Sequence, residues 1–285
     1  MNPLDLRKIS YWRDLAPQLS IEGATQNRFT APRQSFERLA QRMSKDGYFQ
    51  EADNDLIDAA ARLGETITRC VERGLPAVFV WLYDEPWRCF ARLRPVLSHF
   101  LGPEYKMLPD FWAWHVDPRK SEAGWSPHID RGGQRTLAVD GSPLSLTCWI
   151  PLTDANPLNS CMYLIPAFLD PFYGRAHERN QLPRPETIRA LPAKPGEYLI
   201  WNQAVLHWGS SASEFADGPR MSMAIEFQRG DIAPFNSPLL DQIPDFAERR
   251  RLLGKQILQY KHMYKFTTEL VALANHFLSS PEPYN

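Results

Sequence analysis

No apolar run in this 285-residue chain approaches the length of a membrane span, so a membrane-embedded helical protein is not expected. An excess of either charge is also missing. Lys and Arg number 32 against 33 Asp and Glu, a net charge of −1, so no extended nucleic-acid surface is expected. Cysteine is scarce and scattered: Cys70, Cys89, Cys148 and Cys161 include no Cys-x-x-Cys pair. That stands against a zinc site or a disulfide framework and fits a reducing, cytoplasmic setting. The start, Met1-Asn2-Pro3-Leu4-Asp5-Leu6-Arg7, lacks the apolar stretch of a signal peptide. His-Glu-x-x-His and the paired His-x-His are both absent, which removes the zinc-protease and cupin readings. There is no internal repeat and no low-complexity tract.

What is present divides the chain into three parts within one domain spanning 1–285. Residues 31–102 read as helical. Phe36, Leu39, Ala40 and Met43 share one helix face, and Leu56, Ala60, Leu63, Ile67 and Cys70 share another, with Gly74 and Pro76 as a stop. Asp84-Glu85-Pro86 opens a further stretch carrying Trp87, Phe90, Leu93 and Leu97, with Pro95 placed to kink or split it. Residues 105–230 hold short apolar runs between Pro- and Gly-rich loops, the pattern of a β-sandwich or barrel. Residues 245–279 return to helical spacing through Leu253, Ile257, Tyr260, Tyr264, Val271 and Phe277. Composition and periodicity therefore give a mainly β core with flanking helices.

The β part carries the chemistry. Pro127-His128-Ile129-Asp130 sets an imidazole and a carboxylate two residues apart, and on extended chain such residues point to one side. A second imidazole, His207, follows in Val205-Leu206-His207-Trp208-Gly209. Two histidines and one carboxylate can occupy one face of an octahedral Fe(II) and leave three positions open, enough for 2-oxoglutarate and O2. Arg220, in Gly218-Pro219-Arg220-Met221-Ser222, suits the far carboxylate of 2-oxoglutarate, because a guanidinium grips a carboxylate in a fork and stays charged when buried. Ser222, two residues on, points to the same side and can add a hydroxyl donor.

A rival pair exists in His115-Val116-Asp117. It lies within the aromatic strand Phe111-Trp112-Ala113-Trp114, whereas ligands belong where a strand meets a loop and substrate can approach. His128 and Asp130 are therefore preferred, and His115 is read as a strand residue, with the question whether it faces the substrate cavity left open by the sequence. His99, His177, His262 and His276 have no partner at ligand spacing.

The stretch from about 105 to 230 resembles the phytanoyl-CoA dioxygenase family of Fe(II)/2-oxoglutarate oxygenases. The resemblance runs through Trp125-Ser126-Pro127-His128-Ile129-Asp130, Leu146-Thr147-Cys148-Trp149-Ile150-Pro151, Asn159-Ser160-Cys161-Met162-Tyr163-Leu164 and Pro195-Gly196-Glu197-Tyr198-Leu199-Ile200-Trp201. It closes with His207, Arg220 and Ser222. It implies a double-stranded β-helix, or jelly roll, with the metal at the mouth between two sheets. His128, Asp130 and His207 would be the metal ligands, and Arg220, Ser222 and Trp149 would hold the cosubstrate. The implied reaction is hydroxylation of an unactivated C–H of a small molecule, with release of succinate and CO2. Desaturation or cyclisation on the same scaffold is the alternative. Halogenation would need a small residue in place of Asp130, and a binding protein without turnover would not need the complete set. Trp125 is expected to shape the site mouth, with direct contact to the substrate as the alternative, and Arg131 to meet an anionic substrate or lie solvated in its loop.

Overall fold

The structure, a computed structural model, describes residues 5–21 and 36–279. Among the described residues there are eight strands: β1 (Tyr48–Ala52), β2 (Lys106–Val116), β3 (Ser145–Pro151), β4 (Met162–Leu164), β5 (Arg189–Leu191), β6 (Glu197–Asn202), β7 (His207–Gly209) and β8 (Arg220–Gln228). Seven α-helices accompany them among the described residues: α1 (Ile9–Leu15), α2 (Phe36–Asp46), α3 (Ile57–Glu72), α4 (Asp84–Ala91), α5 (Arg94–Leu101), α6 (Phe246–Gln259) and α7 (Thr268–Ser279). No helix among the described residues is long and apolar enough to cross a membrane.

The larger sheet has the order β1-β6-β3-β8-β2 and the smaller β5-β4-β7, with every pairing antiparallel. The residues of β8 explain how the sheets face each other. Met221, Met223, Ile225 and Phe227 point outward into the apolar core shared with the helices. Arg220, Ala224 and Glu226 point inward and line the cavity between the sheets. β3 alternates in the same way: Leu146, Cys148 and Ile150 join the helical core, while Trp149 packs in the inter-sheet core with Leu199 and Trp201 of β6. Helices on the outer face of the larger sheet and a cavity on its inner face make this the expected jelly roll, mainly β with flanking helices.

The expected helical part, 31–102, contains a strand that periodicity does not show; its residues 31–35 lie outside the described residues. Gly47, at φ +80, ends α2, and a Cβ there would lie 2.6 Å from Val205 Cγ2. The chain then turns into β1, which is held as an edge strand by β6, about 150 residues later in sequence. The chain does break near Pro95: α4 ends at Ala91 and α5 begins at Arg94. The C-terminal part is two helices, α6 and α7, and the turn between them carries Tyr260 and Tyr264 to the cavity side.

Candidate metal centre

The segment before His128 is too irregular to count as a strand, yet it extends the smaller sheet. Gly124 N–H donates to Ser210 O at 3.1 Å and Gly209 N–H to Trp125 O at 3.0 Å. His128 and His207 then exchange N–H···O bonds in both directions, each at 3.0 Å. Residues opposed in this way project to the same face of a sheet. Two imidazoles 79 positions apart in sequence thus stand with ring centroids 4.3 Å apart.

Each ring is oriented by its own chain. His128 Nδ1 lies 2.7 Å from Ser126 O, and His207 Nδ1 lies 3.1 Å from Val205 O. A carbonyl only accepts, so each Nδ1 carries the proton and each Nε2 presents a lone pair. Asp130 Oδ1 sits 3.4 Å from His128 Nε2 and 3.3 Å from His207 Nε2. Burial alone would raise the Asp130 carboxyl; without a metal, the adjacent imidazoles in their charged form outweigh it and hold the carboxyl well below the ordinary carboxylate range. The three ligand atoms lie within 4.8 Å of one another, the one such metal-ready group among the described residues. Two neutral nitrogens and one carboxylate oxygen converging on one point fit a divalent iron.

The rival pair is elsewhere. His115 faces a second cavity, bordered by Leu75, Glu122 and Phe266, rather than the one holding His128. Asp117 is engaged by Arg119, with Lys120 at 4.0 Å. His115 does not line the metal cavity; Trp112 and Trp114, which precede it along β2, border both cavities.

Arg220 opens into the metal cavity. The residue is buried, 2 % exposed. Its Nε donates to Ser160 O at 3.0 Å, one terminal nitrogen to Ser160 Oγ at 3.3 Å, and the other to Ser222 Oγ. All three acceptors are neutral. Burial without an anionic partner pulls the guanidinium down to about 10. A buried cation held in place but not neutralised fits an incoming carboxylate. Trp149 lines the same cavity, is 1 % exposed, and has an indole N–H without a partner among the described residues.

Trp125 stands at the cavity wall. Its ring lies 5.1 Å from Trp114 and 4.9 Å from Tyr260, and its Nε1 donates to Tyr264 Oη at 2.7 Å. Arg131 is different from both readings given it. Its guanidinium bridges Asp110, at 2.9 Å, and Glu226, so its charge is already met inside the protein and is not solvated. Asp110 reaches this point because β2 bulges between Met107 and Phe111. Sequence reasoning also left Thr147 and Trp201 without a role; both hydrogen-bond to Asp130. The polar alternation Ser145, Thr147 on an otherwise apolar strand was the available signal.

Comparison with known proteins decides the family. The sequence profile of the phytanoyl-CoA dioxygenase family matches residues 21–214, more than half of the chain. The chain belongs to that family. It is accordingly an oxygenase dependent on non-haem Fe(II) and 2-oxoglutarate. The match ends before Arg220, whose place in the site rests on geometry.

Solved structures share the fold. The epimerase SnoN, determined with Fe3+, alpha ketoglutarate and nogalamycin RO, is 17% identical over 73% of this chain and 93% of its own, with a TM-score of 0.52. The carbocyclase SnoK from nogalamycin biosynthesis is 14% identical over 75% of this chain and 100% of its own, with a TM-score of 0.54. EctD from S. alaskensis, determined with 2-oxoglutarate and 5-hydroxyectoine, is 15% identical over 77% of this chain and 86% of its own, with a TM-score of 0.52.

Proposed function

We propose that this oxygenase hydroxylates an unactivated C–H of a small molecule, using His128, Asp130 and His207 as its iron ligands. The observation that carries the reading is the convergence of their three ligand atoms within 4.8 Å, beside a buried, un-neutralised Arg220 in one cavity. Bound iron with 2-oxoglutarate and O2 supplies oxidative removal of a substrate hydrogen, coupled to conversion of the cosubstrate to succinate and CO2.

The chain's own residues perform the rest. His128 and His207 offer Nε2 while Ser126 and Val205 carbonyls hold their protons away from the centre. Arg220 fixes the far carboxylate of 2-oxoglutarate, and Ser222, whose Oγ accepts from Arg220, keeps its own hydroxyl hydrogen to donate to that carboxylate. Trp149 offers its free indole N–H to the cosubstrate. Trp112, Trp125 and Tyr260 wall the other end of the cavity and exclude water from the reacting carbon. Asp110 and Glu226 line the cavity beside that wall, and Arg131 bridges them, so its charge is met within the protein.

The test is an anaerobic incubation with Fe(II) and 2-oxoglutarate, followed by O2 and a panel of small molecules including amino-acid derivatives and natural-product intermediates. The reading expects succinate release stimulated by a subset of the panel and a hydroxylated product by mass. A product that has lost two hydrogens, with no oxygen gained, would assign desaturation or cyclisation instead.

A further inference from the structure

The two oxygens of Asp130 have different neighbours. Oδ1 faces the imidazoles, 3.4 Å from His128 Nε2 and 3.3 Å from His207 Nε2. Oδ2 faces the larger sheet, where it accepts from Thr147 Oγ1 at 2.7 Å and Trp201 Nε1 at 3.1 Å. We infer that Thr147 and Trp201 are positioning residues that reserve Oδ2 and leave Oδ1 as the single oxygen offered to iron. This rests on Asp130 being a ligand, as proposed above.

The register of the sheet makes the pair. Thr147 of β3 and Trp201 of β6 are direct cross-strand partners, so their side chains leave the sheet side by side on its inner face. Each then reaches across the cavity to the one carboxylate. The direction of the Thr147 bond is set by a third residue. A carboxylate only accepts, so the single hydroxyl hydrogen of Thr147 goes to Asp130. Gln203, fully buried, donates its amide N–H to Thr147 Oγ1 at 3.0 Å and so occupies the hydroxyl's accepting side. The β-branch of threonine limits the rotamers through which this hydroxyl could swing away. Trp201 also lies against the second imidazole, its ring centroid 4.6 Å from that of His207.

The chemical consequence concerns coordination number. A carboxylate free to rotate can chelate through both oxygens and take a second position on the metal. With Oδ2 committed to two donors, Asp130 would occupy one position on a bound iron, and the three ligands would leave three open for cosubstrate and O2. Partners of this kind orient a ligand, and their loss typically weakens metal affinity or activity by about 10- to 100-fold.

The experiment measures Fe(II) affinity anaerobically in the wild type and in Thr147→Val, Thr147→Ser, Trp201→Phe and Asp130→Ala. It also records the charge-transfer band of the Fe(II)–2-oxoglutarate complex, which reports the coordination sphere independently of turnover. Thr147→Val keeps the side-chain volume and removes the donor. Weakening of iron binding on the order of 10- to 100-fold, with a shifted band, is expected there and in Trp201→Phe. Thr147→Ser restores the donor and should return both readouts close to wild type. If Thr147→Val fails to fold, the comparison of Trp201→Phe and Thr147→Ser with wild type carries the test. Unchanged affinity and band in Thr147→Val and Trp201→Phe, with iron lost in Asp130→Ala, would overturn the positioning role and leave the ligand assignment standing. Iron retained at wild-type affinity in Asp130→Ala would overturn the ligand assignment, and the positioning role with it.

Discussion

His128 and His207 are bonded to each other through the backbone before any metal is considered, each N–H donating to the other's carbonyl at 3.0 Å. The spacing of the two imidazoles is therefore a property of sheet pairing and not of the metal. What permits that pairing is a pair of glycines further along the same ladder. A Cβ built on Gly124 would lie 2.6 Å from Gly209 Cα, closer than real contacts allow.

Gly124→Ala is accordingly expected to push the 124–128 segment off β7. Overpacking of this kind costs about 1–3 kcal/mol, and here the displacement also moves His128 away from His207. A lowered melting temperature together with weaker Fe(II) binding is the expected result. Gly133→Ala, where a Cβ meets nothing within 4 Å, serves as the neutral control. Equal behaviour of the two variants would show that close approach at Gly124 is not what sets the ligand spacing.

Arg220 gives a prediction for the cosubstrate. Arg220→Ala would leave the far carboxylate of 2-oxoglutarate buried without its cation, a loss of about 3–5 kcal/mol. That corresponds to a rise in the 2-oxoglutarate requirement by a factor on the order of hundreds to thousands. Arg220→Lys should recover part of the loss, since it keeps a charge and loses the fork. Iron binding should survive both changes. Titration of succinate release against 2-oxoglutarate checks this, and an unchanged requirement in Arg220→Ala would move the carboxylate elsewhere.

A buried ion pair far from the cavity sets part of the acid sensitivity. Arg249 of α6 and Asp84 of α4 meet at 2.5 Å with both side chains fully buried. Burial would raise the Asp84 carboxyl, but the Ser20 hydroxyl and the Arg249 guanidinium outweigh it and hold it below its ordinary value. Burial pulls the guanidinium down as well, yet a guanidinium keeps its proton throughout the acid range, so the pair titrates through Asp84. A depressed carboxylate contributes stability that is present above its unfolded value, about 3.9, and is lost as pH falls through the folded value. Arg249→Met should cost up to about 3–5 kcal/mol at neutral pH, because it leaves the buried Asp84 carboxylate with only Arg88, at 3.4 Å, and the Ser20 hydroxyl. Thermal melts between neutral and acid pH should show the gap to wild type closing as Asp84 protonates. A constant gap would assign the loss to packing.

Much of this was legible in the sequence, and the reasons differ by element. His128 and Asp130 could be read together because two-residue spacing fixes a shared side on extended chain. Arg220 and Ser222 followed from the same rule, and the apolar faces of α2 and α3 from helical spacing. The strand β1 was not legible, because Tyr48–Ala52 owes its conformation to pairing with β6 and not to local pattern. The commitment of Arg131 was equally hidden. It depends on the β2 bulge that brings in Asp110 and on Glu226 from β8, neither adjacent in sequence. Thr147 and Trp201 escaped for the same cause: their joint action on Asp130 exists only once β3 and β6 are in register.

The central claim is that iron is held by His128, Asp130 and His207. An anaerobic Fe(II) titration of the wild type beside His128→Ala, Asp130→Ala, His207→Ala and His115→Ala tests it most directly. The account predicts one iron per chain in the wild type and in His115→Ala, and loss of that site in the other three. Iron lost in His115→Ala and retained in His128→Ala would contradict it.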